Sequence, residues 1–261
     1  MNCVEEYYAQ YDEDARFLRK SRQTEYLTTM RYIQKYLFQG ARILEIGAGT
    51  GRYSLALAAQ GYSVDAVELL PKHIALLRQK SKDNSNLRIF EGNAVDLRFL
   101  HSNAYDIVLL LGPMYHLFNK ADKLNALAEA IRVAKPNGVI FAAYCNNDTT
   151  IYNLFVQHQI QAYAESNRLT QDFHMKPLPE LVFSLSRKAE IDSLMQSFSV
   201  RRLHFVGTDM LSEFFGDIID GFSNAEFELY MQYHFQMCER ADCVGMSFHF
   251  LDIFQKDSNT I

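Results

Sequence analysis

Short apolar runs alternate with amphipathic stretches through the first 145 residues. The runs at 42–46, 63–67, 87–90, 105–111 and 139–145 are bounded by Gly, Pro or polar residues and read as strands. The near-continuous apolar character of 105–111 marks a strand buried on both faces. Between the runs lie helical patterns. One spans 50–60 and stops at Gly61; another opens at Pro71 and runs to Lys80. A third is capped by Asn119, supported by Asp122, and turns Leu124, Leu127, Ala128 and Ile131 inward until Pro136-Asn137-Gly138. Strand–helix alternation of this kind predicts a parallel, doubly wound sheet.

The rhythm differs at both ends. Residues 1–38 read as helical, with a stripe of Leu27, Met30, Ile33 and Leu37. Tyr7, Tyr8 and Tyr11 precede that stripe, placed either to close over a ligand or to pack the helix on the sheet. Residues 148–185 are too long for an ordinary connection and carry an aromatic helix over 149–166, so they read as a cap over the strand ends. A core helix at 187–198 and a strand from Val200 to Val206 follow. Leu211, Phe214, Phe215, Ile218, Ile219 and Phe222 recur at helical spacing and predict one amphipathic helix. Ser223 and Glu226 form a capping-box pattern for the next, and 245–254 read as the last strand. The expected organisation is therefore a lid at 1–38, a cofactor-binding core at 39–147, an inserted cap at 148–185 and completion of the sheet by 186–261.

Composition narrows the class. The chain has 261 residues, 48% of them apolar, enough for one α/β domain with a lid. No apolar run reaches the ~20 residues of a membrane span. The first residues are acidic and polar, unlike a signal peptide, so a cytoplasmic protein is expected, as a monomer or homodimer. Its four cysteines form no Cys-x-x-Cys pair, so reduced thiols and no zinc site are expected. A net charge of −5 without a basic run turns the expectation from nucleic acid toward a small molecule.

The chemistry concentrates at 43–51, Ile-Leu-Glu-Ile-Gly-Ala-Gly-Thr-Gly. A strand enters a loop containing Gly47, Ala48, Gly49 and Gly51, a helix leaves it, and Glu68 ends the next strand. This unit holds adenosine-containing cofactors: glycine lets the backbone approach the ligand, and the second acid meets a ribose diol. A nicotinamide fingerprint would place its third glycine at Arg52. Glu45 would also repel a pyrophosphate and suits a cationic ligand end. A dehydrogenase is thereby disfavoured.

The acid-x-Gly-x-Gly-x-Gly loop resembles the first motif of the class I S-adenosylmethionine-dependent methyltransferases. The resemblance implies a Rossmann-like, seven-stranded, mostly parallel sheet with an antiparallel last strand. It places Glu45 on the ammonium and sulfonium side of the methionine moiety. It places Asn93 and the backbone of Ala94 on the adenine edge, where the family often has Asp; Leu69 would flank the adenine face. Leu111-Gly112-Pro113-Met114-Tyr115-His116-Leu117 resembles the Leu-Gly-Pro-x-Tyr-His-Leu stretch of a bacterial small-molecule subgroup. Leu111 and Gly112 would then border the sulfonium, with Tyr115 a wall of the methyl-transfer site and His116 a candidate general base. Tyr11 would close over the cofactor.

Methyl transfer from a sulfonium is an in-line displacement that demands alignment rather than a fixed triad. The expected reaction is therefore transfer to O or N of a small acceptor, giving S-adenosylhomocysteine. A macromolecular acceptor, or a non-catalytic cofactor-binding module, is the alternative. Cys145 has no Pro-Cys partner element and reads as a packed thiol. Asn146-Asn147-Asp148 lacks the second acid that a magnesium site wants after 105–111. Arg16, Arg19 and Arg22 share a helical face that meets either solvent or an anion, and the eight histidines show no ligand spacing.

Overall fold

The structure, a computed structural model, describes residues 3–10, 18–82 and 84–258. Tyr11 and Arg16 lie outside them. Its centre is one sheet built from β1 (Arg42–Ile46), β2 (Ser63–Glu68), β3 (Leu87–Glu91), β4 (Tyr105–Leu110), β5 (Ala134–Asn146), β6 (Leu185–Ser186), β7 (Val200–Gly207) and β8 (His249–Lys256). The strands run in the order β3-β2-β1-β4-β5-β8-β7. All neighbours are parallel except β8, which lies antiparallel between β5 and β7. The expected seven strands with a reversed last one are present. The eighth, β6, pairs with Cys145 and Asn146 of β5, beyond the end of the β4 pairing at Ala142.

Sequence order and burial agree along the central strands. Ile43, Ile107 and Phe141 face one core, whereas Leu44, Val108 and Ile140 face the other. Alternation of side chains in a sheet covered on both faces produces the two cores. The helices are α1 (Cys3–Gln10), α2 (Lys20–Gln34), α3 (Arg52–Ala59), α4 (Pro71–Lys80), α5 (Lys120–Val133), α6 (Asn147–Val156), α7 (Ile160–Glu165), α8 (Lys188–Met195), α9 (Gly216–Asp220) and α10 (Asn224–Met237). Asn119 caps α5 by accepting from the Asp122 amide, and Ser223 and Glu226 cap α10 reciprocally. No helix among the described residues is long and apolar enough to cross a membrane.

Four expectations need correction. The aromatic helix over 149–166 is two helices. His158 adopts φ 55°, and the Gln159 amide reaches back to Leu154 O at 2.8 Å, which closes α6 as a left-handed cap does. The single helix over 211–222 is a 3-10 turn (Met210–Ser212) followed by the short α9. Gly216 weakens it locally, and α2 captures its far end: Arg19 pairs with Asp217 and Asp220, and the Ser21 amide donates to Asp220 at 2.9 Å. Arg22 likewise pairs with Glu213, so two of the three arginines serve this contact. The last strand begins at His249 rather than 245, because Val244–Met246 form a 3-10 turn. In α2, Met30 and Ile33 are buried as the stripe predicted, but Leu27 is exposed. Thr24 and Thr28 are buried in its place, and Thr28 Oγ1 lies 2.8 Å from His234 Nε2 of α10.

Residues 147–186 pack over the carboxyl ends of the strands around a third cluster of Cys145, Ile151, Leu154, Met175 and Leu185. Tyr115, Leu181 and Phe183 lean on it. The Ser184 amide donates to Tyr115 O at 2.7 Å, which ties this segment to the turn after β4.

Candidate functional site

A cavity of about 310 Å³ opens at the carboxyl ends of β1, β2, β4 and β5. That edge of an open α/β sheet is where ligands bind. Glu45, Gly47, Ala48, Gly49, Glu68, Leu69, Asn93, Ala94, Leu111, Gly112, Tyr115 and His116 all line it. Gly51 does not; it turns the chain into α3 with φ 90°.

The glycine loop is shaped by contact as much as by freedom. At Gly47, with φ 75°, a Cβ would stand 2.6 Å from Pro113 Cδ, so the turns after β1 and β4 meet backbone to ring. At Gly49, with φ 56°, a Cβ would meet nothing within 4 Å. The loop is tight on its protein side and open at Gly49, the shape a ligand cradle needs.

The two acids have different tasks. Glu68 holds the loop: its Oε2 accepts from the Gly49 amide at 2.7 Å and its Oε1 from the Leu70 amide at 2.8 Å. Four lone-pair sites on a carboxylate leave room for a diol beside those two bonds. Glu45 is buried at the base of the cavity and accepts from the Ser54 amide at 2.8 Å and from its hydroxyl. Burial pushes its carboxyl up to about 8 against the pull of those donors. A cation beside Glu45 relieves that burial cost. Asn93 is exposed at the opposite lip, and its side chain accepts from the Val95 amide at 3.2 Å. Leu69 is 49% exposed and offers the adjacent apolar surface.

The far end is aromatic. His116 Nδ1 sits 3.0 Å from Val182 O, and Nε2 sits 3.1 Å from Tyr8 Oη. A carbonyl only accepts, so Nδ1 carries the proton and Nε2 accepts from the tyrosine. Burial holds this ring below its ordinary pKa, which keeps it neutral. Val182 supplies its carbonyl from a positive-φ turn (φ 65°, ψ −37°) closed by the Phe183 amide on Leu181 O at 2.7 Å. That conformation is costly for a β-branched residue and is held by its surroundings. The Tyr115 hydroxyl donates to Leu111 O at 2.9 Å, which makes its ring a fixed wall.

Several lining residues were not singled out from sequence. Val4 and Glu5 come from α1, beside Tyr8 of the tyrosine segment singled out above, and Glu25 and Thr29 from α2. His73 lies with its Nδ1 3.8 Å from Glu68 Oε1. Thr208 and His249 enter from the turn after β7 and the start of β8. Their only sequence signal is residue type; the register of Cys145 with His249 brings them to the site.

A family of methyltransferase domains matches residues 43–138. The chain is 32% identical over 114 residues to a glycine/sarcosine N-methyltransferase of Parasynechococcus marenigrum, covering 42% of this chain and 40% of that protein. It is 27% identical over 155 residues to a ubiquinone biosynthesis O-methyltransferase of Rickettsia conorii, covering 58% of this chain and 52% of that one. The chain thus spans about half the length, or less, of these curated relatives. The structure of Haemonchus contortus phosphoethanolamine N-methyltransferase 1, solved with phosphoethanolamine and S-adenosylhomocysteine, has the same fold. It superposes with a TM-score of 0.59 at 14% identity over 97% of this chain and 47% of that one. The matched segment carries the glycine loop and the central strands β1 to β4, so residues 43–138 have the sequence and the fold of a methyltransferase domain.

Proposed function

We propose that this protein transfers a methyl group from S-adenosylmethionine to O or N of a small-molecule acceptor in the cytoplasm. One observation carries the reading: the Gly49 opening, Glu45, Glu68 and the Tyr115–His116 wall line a single cavity. Glu68 would hold the ribose diol, and Asn93 with the Ala94 amide the adenine edge. Leu69 would cover the adenine face. Glu45 would face the cationic methionine end, near the carbonyls of Leu111 and Gly112. The bound sulfonium supplies an already activated methyl group. The chain's own part is to align it with the acceptor and to keep water out. In this reading α1 closes over the site, and 148–185 select the acceptor. The names of the relatives, which include N- and O-methyltransferases, support a small acceptor and leave both atoms open.

The test is calorimetric binding of S-adenosylmethionine, S-adenosylhomocysteine and NADH. We expect micromolar binding of the first two and none of NADH. Glu68→Gln should weaken binding by roughly tenfold or more, as the loss of a charged hydrogen-bond acceptor does. Preference for NADH, or no binding of either adenosyl compound, would refute the reading.

A further inference from the structure

We infer that His249, oriented by Asp209, takes the proton of the methyl acceptor; the inference rests on the methyltransferase reading above. His249 opens β8, and its ring lines the same cavity as the glycine loop. Its surroundings fix it on one side. Asp209 is buried and accepts from His249 Nδ1 at 2.6 Å and from the His249 amide at 3.1 Å. The Ser247 hydroxyl donates to the same carboxylate at 2.5 Å. The Thr208 amide donates to His249 O at 3.0 Å. The ring is therefore held at its backbone and at Nδ1. Nε2 makes no hydrogen bond among the described residues, and the side chain keeps 21% of its surface exposed. A histidine with Nδ1–H on a buried carboxylate and a presented Nε2 has the arrangement of an oriented general base.

His116 differs. Both its ring nitrogens are in use, one on Val182 and one on Tyr8. Its geometry serves closure of the cavity by α1, whereas that of His249 leaves a nitrogen for the acceptor.

A lone pair on the acceptor O or N forms the bond to the methyl carbon. The carbon–sulfur bond breaks, and its electron pair stays on sulfur as the neutral thioether. The acceptor's proton passes to Nε2 and from there to water. The ring must be neutral to accept it. Asp209 from the turn after β7, Glu25 of α2 with Oε2 4.0 Å from Nδ1, and the Cys145 thiol of β5 are the titratable groups that face it. Burial disfavours the charged ring, but Glu25 and Asp209 outweigh it and hold the pKa well above the ordinary histidine value. Transfer should therefore rise with pH through an inflection above that value, and Asp209→Asn should move the inflection down.

His249→Asn is the decisive variant, since the asparagine amide can still donate to Asp209 while Nε2 is lost. His116→Asn is its counterpart. Calorimetry with S-adenosylmethionine comes first, and His249→Asn should bind as the parent does. If the parent itself does not bind, the methyltransferase reading falls. Diethylpyrocarbonate labelling of the S-adenosylhomocysteine-loaded protein, mapped by peptide mass, comes second. Above the His249 inflection, where its ring is neutral, His249 should be labelled faster than His116, whose two nitrogens are both hydrogen-bonded. Methyl transfer to sarcosine and to catechol is third. His249→Asn should lower the turnover of whichever is methylated by roughly 10²–10⁴-fold, against less than about tenfold for His116→Asn. Intact cofactor binding with His249 labelled no faster than His116 would overturn the inference. So would a His249→Asn rate equal to the parent's. If neither compound is methylated, the labelling order decides.

Discussion

Glu45 and Glu68 carry the same charge to the same cavity, yet their surroundings separate them. Both are buried; Glu68 accepts from two backbone amides, while among the described residues Glu45 accepts from the amide and the hydroxyl of Ser54. Burial lifts the Glu45 carboxyl from 4.5 to about 8. An acid whose folded pKa is raised weakens the fold as it ionises, so its effect is lost stability as pH rises from 4.5 to about 8. The loss is at most roughly 5 kcal/mol. Glu45 is thus largely protonated at neutral pH in the free protein. A cationic ligand beside it should expel that proton. At neutral pH, calorimetry in two buffers of different ionisation enthalpy should detect release of up to one proton per S-adenosylmethionine bound, and none for Glu45→Gln. Release unchanged in the variant would place the cation elsewhere. Both acids were legible from sequence because they flank a glycine loop that announces itself within a few residues. Asp209 and His249 were not, since nothing within either segment signals the other.

Among the elements, α1 bears most directly on function. Lys72 Nζ donates to Tyr8 O at 2.8 Å, Tyr8 reaches His116, and Tyr7 packs edge-on to Phe183 at 5.4 Å. Tyr8→Phe removes one hydrogen bond, worth about 1 kcal/mol. Amide exchange in residues 3–10 should then accelerate by roughly fivefold, with exchange in β1 and β4 unchanged. Equal acceleration in the sheet would mean that α1 is integral to the core and not a closing element. Helices with local start signals were read correctly: Pro71, Asn119 with Asp122, and Ser223 with Glu226 act through neighbouring backbone. The two misread helices share a cause. Apolar periodicity continued past 157–159 and 213–215, but a left-handed cap at His158 closed the first helix, and the second breaks between the 3-10 turn and Gly216, where Arg22 pairs with Glu213. Periodicity reports which face is apolar and is blind to where a distant element cuts the helix.

For the whole molecule, the parallel strands end on one cavity to which α1, α2 and the start of β8 also contribute walls. A ligand that bridges these parts stabilises all of them. At a hundred times its Kd, S-adenosylhomocysteine should add about 2.7 kcal/mol and raise the melting temperature by roughly 5–10 °C. NADH at equal concentration should leave it unchanged, and a matching shift with NADH would count against the cofactor assignment.

The sequence by itself determined what depends on near neighbours. It set the alternation of strands and helices, the glycine loop with its two acids, the capped helix starts and the turn that carries Tyr115 and His116. These rest on backbone conformation and burial period, which act over a few residues. Tertiary structure alone decided what depends on register and approach. Pairing of Cys145 with His249 carries a histidine 104 positions away from that cysteine to the mouth of the cavity. The turn after β7 sets Asp209 behind it, and α2 brings Glu25 within 4.0 Å. No local propensity encodes such a meeting. It follows from the insertion of β8, antiparallel, between β5 and β7.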